Sequence, residues 1–331
     1  MKRIGTAAWL AAWLAAGAGF AAAMASGTSA APRGPEAVQL AIGSDTLYGT
    51  LERPAGDRVA PLVLMLAGSG PTNRDGNTLF LPGKNNSLKM LADSLRGRGI
   101  ATLRYDKRGV GASLRAAKSE SELRLTNYSD DAAQWVKRYQ GDARFSKLVL
   151  LGHSEGALIG TLAARDGGVD AIVLVSGAGR PARVILHEQL LRAAPPDLQK
   201  KSDEILDSLQ AGHDVTNVPP ELMALYRPSV QGYMRSWIAV DPARELGRLE
   251  IPVLVVQGTS DIQVSLADAE SLAAARKGIQ NVIVGGMNHV LKRTPADPQA
   301  QMGSYSDSTM ALAPGLVEPI VRFVVSVERK R

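Results

Sequence analysis

The chain has no cysteine among its 331 residues. That excludes disulfide crosslinks and a lipid-modified cysteine anchor, so stability must come from the core. Histidine is scarce too, with four in all and no H-E-x-x-H run. With thiols also missing, no ligand set for a metal emerges, and no cofactor is expected. Aromatic residues make up 5%, few for lining a long groove. No stripe of Lys and Arg interleaved with aromatics is present, so the net charge of +6 reads as solubility and not nucleic-acid binding. There is no internal repeat, and nothing in the sequence fixes an oligomeric state. What is there is ordinary for a globular protein, 45% hydrophobic and 21% charged residues, in a chain long enough for a substantial core.

The N-terminus stands apart. Lys2 and Arg3 precede the run AAWLAAWLAAGAGFAAA, and Ala23-Met24-Ala25 then offers small residues around a cleavage point. This is the charged, apolar, small-residue order of a secretory signal peptide. The run is alanine-rich and short against the roughly 20 strongly apolar residues of a membrane span. Residues 1–25 are therefore expected to be removed and 26–35 to form a flexible mature N-terminus. The protein is expected to be periplasmic or secreted, with no stable membrane anchor.

From Ala37 to Leu51 the residues alternate around a GSD turn, which predicts an antiparallel hairpin. Six short apolar runs follow: PLVLMLA, GIATLRYD, KLVLLGH, DAIVLVSG, PVLVVQGT and NVIVGG. Continuous apolar runs suit strands covered on both faces of a parallel sheet. Helical spacing separates them at 87–97, 129–139 (with Ser129 as N-cap), 156–165, 266–277 and 315–331. The alternation predicts an α/β fold, one mostly parallel central sheet with helices on both faces, filling residues 36–331. Between Pro181 and Leu249 no strand-like run occurs, only amphipathic helical pieces punctuated by proline, which predicts a small helical cap.

The chemistry gathers at strand ends. KLVLLGHSEGALIG runs from a strand through Gly152-His153-Ser154-Glu155-Gly156 into a helix, the G-x-S-x-G pattern in its strand–turn–helix setting. It presents Ser154 as a nucleophile at a helix N-terminus, where the dipole favours negative charge. A serine needs a base. His153 adjoins it and is expected to point away into the fold, while His187 and His213 fall in the helical insertion. That leaves His289, on the glycine-rich loop after the last strand. Asp261 follows the preceding strand and is assigned to orient His289; Asp268, in a helix, and Asp297, beyond the histidine, are poorer candidates. An acyl-transfer oxyanion needs two N–H donors. Glu155, after the nucleophile, supplies one. The loop LAGSGPTNRDGN (Leu66 to Asn77) is positioned to supply the other from Ser69. A dinucleotide-binding loop is disfavoured, because Asn73 stands where a third glycine belongs and Pro71 opposes a helix. Asp106 and Arg108 are read as structural, and Asn73, Arg74 and Asp75 as bracing the loop in preference to touching substrate.

Taken in order, GSGPTNRDGN, RYDKRGVGAS, GHSEG, PVLVVQGTSD and GGMNH resemble the bacterial α/β-hydrolases of the serine-esterase kind. The first loop is similar to that of an exported carboxylesterase group near acetyl esterases and serine aminopeptidase-like hydrolases. The resemblance covers most of the mature chain and is weakest across the cap. It implies an α/β-hydrolase fold and cleavage of small-molecule carboxylic esters through an acyl-enzyme. An aminopeptidase-like or other acyl-bond hydrolase uses the same machinery, and a non-catalytic binding module on the same fold is the remaining alternative. Ala67-Gly68-Ser69-Gly70 stands where lipases often carry H-G-G-G, which argues against long-chain lipase activity, and the small cap and few aromatics argue for short acyl chains.

Overall fold

The computed structural model describes residues 34–79 and 81–329. The expected signal segment and all but the last two residues of the expected flexible segment lie outside the described residues. Strands β1 (Glu36–Ile42) and β2 (Asp45–Glu52) form the antiparallel hairpin, with Gly43 at φ 61° taking the left-handed position of a two-residue turn. The sheet continues through β3 (Ala60–Leu66), β4 (Ala101–Tyr105), β5 (Phe145–His153), β6 (Ala171–Val175), β7 (Val253–Gly258) and β8 (Gln280–Val284). Its order is β1-β2-β4-β3-β5-β6-β7-β8, antiparallel up to β2–β4 and parallel from β4 to β8. This is the mostly parallel α/β sheet expected, and the continuous apolar runs have their reason here. Every residue of β4, β6 and β7 is buried.

The two faces are covered by different helices. Leu62, Leu64 and Leu66 of β3 join the core under α2 (Leu125–Tyr139) and α3 (Glu155–Ala163). Val63 and Met65 turn the other way, toward α1 (Ser87–Arg96) and the C-terminal helix (Val317–Ser326). Period-two alternation within one unbroken apolar run thus feeds both layers. Helix α2 starts four residues before the expected Ser129. Asn127 Oδ1 accepts the Arg124 N–H at 2.7 Å, and Leu125 and Tyr128 bury their side chains, so the extra turn is both capped and packed. Ser129 lies inside the helix and donates to the Thr126 carbonyl. The C-terminal helix ends at Ser326, short of the expected 331.

Between β6 and β7 the chain forms α4 (Ala182–Ala193), α5 (Pro196–Gln210), α6 (Met223–Tyr226), α7 (Pro228–Ile238) and α8 (Pro242–Gly247). Prolines begin α5, α7 and α8, where the missing N–H costs nothing. Leu186, Ile205, Leu206, Tyr226 and Met234 build a separate apolar cluster, and Ser202 Oγ meets the Tyr226 hydroxyl inside it at 2.7 Å. Tyr233 and Trp237 of α7 pack against both this cluster and the core of the sheet. Among the described residues no helix is long and apolar enough to cross a membrane.

Close approach dictates the glycines around Ser154. A Cβ on Gly152 would stand 2.2 Å from the Gly156 carbonyl oxygen, and one on Gly156 would stand 2.3 Å from that of Leu66. Gly156→Ala is accordingly expected to destabilise the protein by about 1–3 kcal/mol. Gly34→Ala, with open space around it, is expected to change nothing. Urea unfolding of the two variants checks both expectations.

Candidate active site

The parallel strands deliver their chemistry at their carboxyl ends, where an open α/β sheet forms its crevice. Ser154 turns the chain from β5 into α3 at φ 55° and ψ −123°, anchored by its N–H donating to the Val175 carbonyl at 3.0 Å. His289, on the loop after β8, brings Nε2 to 3.1 Å from Ser154 Oγ. Its other nitrogen, Nδ1, meets Asp261 Oδ2 at 2.9 Å and Oδ1 at 3.1 Å. The carboxylate only accepts, so Nδ1 carries the hydrogen and Nε2 is left as acceptor for the serine hydroxyl.

Asp261 follows β7, and its side chain is fully buried. Burial pushes its carboxyl up. The His289 ring and the N–H groups of Val264 (2.9 Å) and Gln263 (2.8 Å) outweigh that and hold it below its ordinary value. The acid therefore stays ionised where it can stabilise an imidazolium.

His153 does more than point away. Its Nε2 lies 2.8 Å from the His289 carbonyl oxygen, and the two rings are 5.0 Å apart. Desolvation and the neighbouring His289 pull its pKa down to about 4. The ring is thus neutral and donates from Nε2, tying β5 to the loop that carries His289. Of the other histidines, His187 pairs with Asp203 at 2.9 Å between α4 and α5, and His213 is exposed. Asp268 is gripped by Arg180 and Ser265, and Asp297 caps a short helix by accepting the Ala300 N–H.

The loop after β3 presses on the same point. A Cβ on Gly68 would meet Ser154 Cβ at 3.1 Å and Oγ at 3.5 Å, and the exposed Ser69 follows directly. Among the described residues, the N–H groups of Ser69 and Glu155 donate to no protein acceptor. The polar residues of the loop are turned inward. Asn73 Oδ1 accepts the N–H groups of Asp75 and Asn77. Arg74 reaches Asp106 Oδ2 at 2.8 Å and Thr50 Oγ1 at 3.0 Å, and Asp75 pairs with Arg104. Asp106 also accepts the Arg74 and Ala112 N–H groups, while Arg108 binds Asp131 of α2 at 2.7 Å. Arg74 therefore faces the protein.

Lys107 and Tyr233 had no role assigned from the sequence. Lys107, 4% exposed, brings Nζ to 2.5 Å from the Gly68 carbonyl oxygen and 3.1 Å from Glu155 Oε2. Tyr233 donates its hydroxyl to Glu155 Oε1. Lys107 sits in plain view in RYDKRG, but neither partner is near it in sequence. Among the described residues no three His, Asp or Glu side chains gather as metal ligands. A cleft of about 580 Å³ lies at the opposite ends of the strands, beside Phe145, Val169 and Ile251.

The model of the family described as serine aminopeptidase, S33 matches residues 81–292, which include Ser154, Asp261 and His289. Esterase EstD of Thermotoga maritima is 28% identical over 259 residues. That alignment takes in 76% of this chain but 60% of EstD, so the chain spans less than two thirds of that relative. The structure of Est1E from Butyrivibrio proteoclasticus with ferulic acid bound superposes with a TM-score of 0.56 at 16% identity, over 87% of this chain and 96% of that one. Dienelactone hydrolase from Anabaena variabilis gives a TM-score of 0.53 at 17% identity, over 90% and 99%. At such identities the likeness is one of fold, the α/β-hydrolase fold.

His153 makes a pH test. Its folded pKa lies below the ordinary 6.5, so the unfolded chain binds the proton first as pH falls. Stability is then expected to drop between about pH 6.5 and 4, by on the order of 3 kcal/mol. His153→Gln should remove this component from unfolding free energies measured across that range.

Proposed function

Because the chain belongs to the serine aminopeptidase S33 family, we propose that it is a serine hydrolase that cleaves small carboxylic esters, chiefly of short acyl chains. The observation that carries this is the continuous run of hydrogen bonds Asp261–His289–Ser154, ending beside two unengaged backbone N–H groups. Ser154 Oγ attacks the ester carbonyl while His289 Nε2 takes its proton. The N–H groups of Ser69 and Glu155 receive the oxyanion. As the tetrahedral intermediate collapses, imidazolium protonates the departing alcohol and the acyl group stays on Ser154. Water then gives a proton to His289 and adds to the acyl carbon, and the proton returns to Ser154 as the acid leaves. Throughout, Asp261 holds the His289 tautomer and balances its charge.

EstD, an esterase by name, and Est1E, with ferulic acid bound, support the choice of esters. The family description raises an aminopeptidase. Glu155, the acid beside Ser154, does not offer a free carboxylate for a substrate ammonium, because its two oxygens meet Lys107 and Tyr233. The low aromatic content and Gly68-Ser69-Gly70 in the oxyanion loop favour short acyl groups. The helices from 181 to 249 are proposed to cap the site. On the strength of Lys2, Arg3 and the apolar run after them, the protein is proposed to be exported to the periplasm or beyond.

Hydrolysis of p-nitrophenyl acetate, butyrate and octanoate, beside alanine p-nitroanilide, tests the reading. kcat/KM is expected to be higher for acetate and butyrate than for octanoate, with no turnover of the anilide. Ser154→Ala should abolish turnover, and Asp261→Asn should lower kcat by about 10⁴-fold. Cleavage of the anilide without the esters would replace this reading with an aminopeptidase.

A further inference from the structure

We propose that Lys107 is a positioning residue for both halves of the oxyanion site, and that Tyr233 of α7 makes its grip depend on the seating of the helical insertion. The proposal rests on the serine-hydrolase reading above. Its geometry starts from one peptide. The Gly68 carbonyl and the Ser69 N–H belong to the same trans amide and point in opposite directions. A cation fixed on the oxygen therefore fixes the direction of the N–H. Lys107 Nζ is that cation, at 2.5 Å. A charge-assisted bond to the carbonyl also polarises the amide, which strengthens the N–H as a donor.

The same ammonium reaches the second half. It binds Glu155 Oε2 at 3.1 Å, and the backbone N–H of Glu155 is the other oxyanion donor. One side chain thus ties the β3 loop to the first residue of α3, with the ring of Tyr128 closing over it at 5.1 Å. Lys107 and Glu155 side chains are only 4% and 3% exposed. Neither charge can lose its partner without strongly destabilising the fold, since an unpaired buried charge is left without solvation.

Glu155 Oε1 is claimed by Tyr233, which comes from α7. Burial and the Glu155 carboxylate push the Tyr233 hydroxyl well above its ordinary pKa, so it remains a donor. Its ring meets Tyr128 edge-on at 5.8 Å and leans on Trp237 at 6.3 Å, at the seam between the insertion and the sheet core. The path from insertion to oxyanion loop is therefore Tyr233, Glu155, Lys107, Gly68, with each step a hydrogen bond. Withdrawal of α7 would take a donor from Glu155, free it to shift with Lys107, and loosen the Gly68–Ser69 peptide.

The test compares Lys107→Met, Lys107→Arg, Tyr233→Phe and the double variant Lys107→Met/Glu155→Gln, which leaves no orphaned buried charge. Readouts are kcat and KM on p-nitrophenyl acetate, melting temperature, and calorimetric affinity for butylboronic acid, which forms a tetrahedral adduct on the serine. The double variant is expected to lose on the order of 10²-fold in kcat with KM little changed. Boronate affinity should fall alongside kcat. Arginine should recover part of the loss, and Tyr233→Phe should show a smaller loss of the same kind. Unchanged kcat and boronate affinity in the folded double variant would overturn the proposal, as would a parent that binds no boronate. A parent that binds boronate but turns over no ester would sink the ester reading alone, and the variants' boronate affinities would still decide the role of Lys107.

Discussion

A serine held at φ 55° is the constraint around which this structure is arranged. That conformation costs a non-glycine residue on the order of 1–3 kcal/mol and persists only where the surroundings over-determine it. Here they do. The N–H of Ser154 is fixed to β6, Gly152 and Gly156 let β5, α3 and the end of β3 approach within a Cβ radius, and Gly68 backs onto the serine side chain. The same crowding that strains the turn sets its hydroxyl beside His289.

Around the turn, charges are paired: Lys107 with Glu155 and Arg104 with Glu52 are buried, Arg74 with Asp106 is nearly so, and Asp75, partly exposed, also meets Arg104. Such pairs contribute little net stability, but breaking one by removing a partner costs about 3–5 kcal/mol. Their effect is to allow few alternative loop positions. Each joins segments apart in the chain, so the loop after β3 is fixed to the loop after β4, and Asp261 with His289 fixes the loop after β7 to the loop after β8. Preorganised donors of this kind are what stabilise a developing oxyanion.

Much of this was legible in the sequence. The strands declared themselves because a parallel sheet buries both faces and demands unbroken apolar runs. Ser154 was marked by its flanking glycines, and His289 by the scarcity of histidine together with its position after the last strand. Arg74 carries no local mark of its direction, because Thr50 and Asp106, which hold it, lie 24 and 32 positions away. Lys107, His153 and Tyr233 were not legible in these roles, because their partners lie 39, 136 and 78 positions away. No local period or spacing records such contacts. The start of α2 was missed for a smaller reason: serine and two acids look like a cap, but Asn127 caps the helix a turn earlier and Leu125 rewards the extension with burial.

The central claim is that Ser154 is a nucleophile activated through His289. Mass spectrometry of the protein after treatment with a fluorophosphonate tests it most directly. One phosphonyl adduct on the peptide containing Ser154, lost in His289→Ala, is the expected result. An adduct on another residue, or labelling of Ser154 that is indifferent to the loss of His289, would contradict the account.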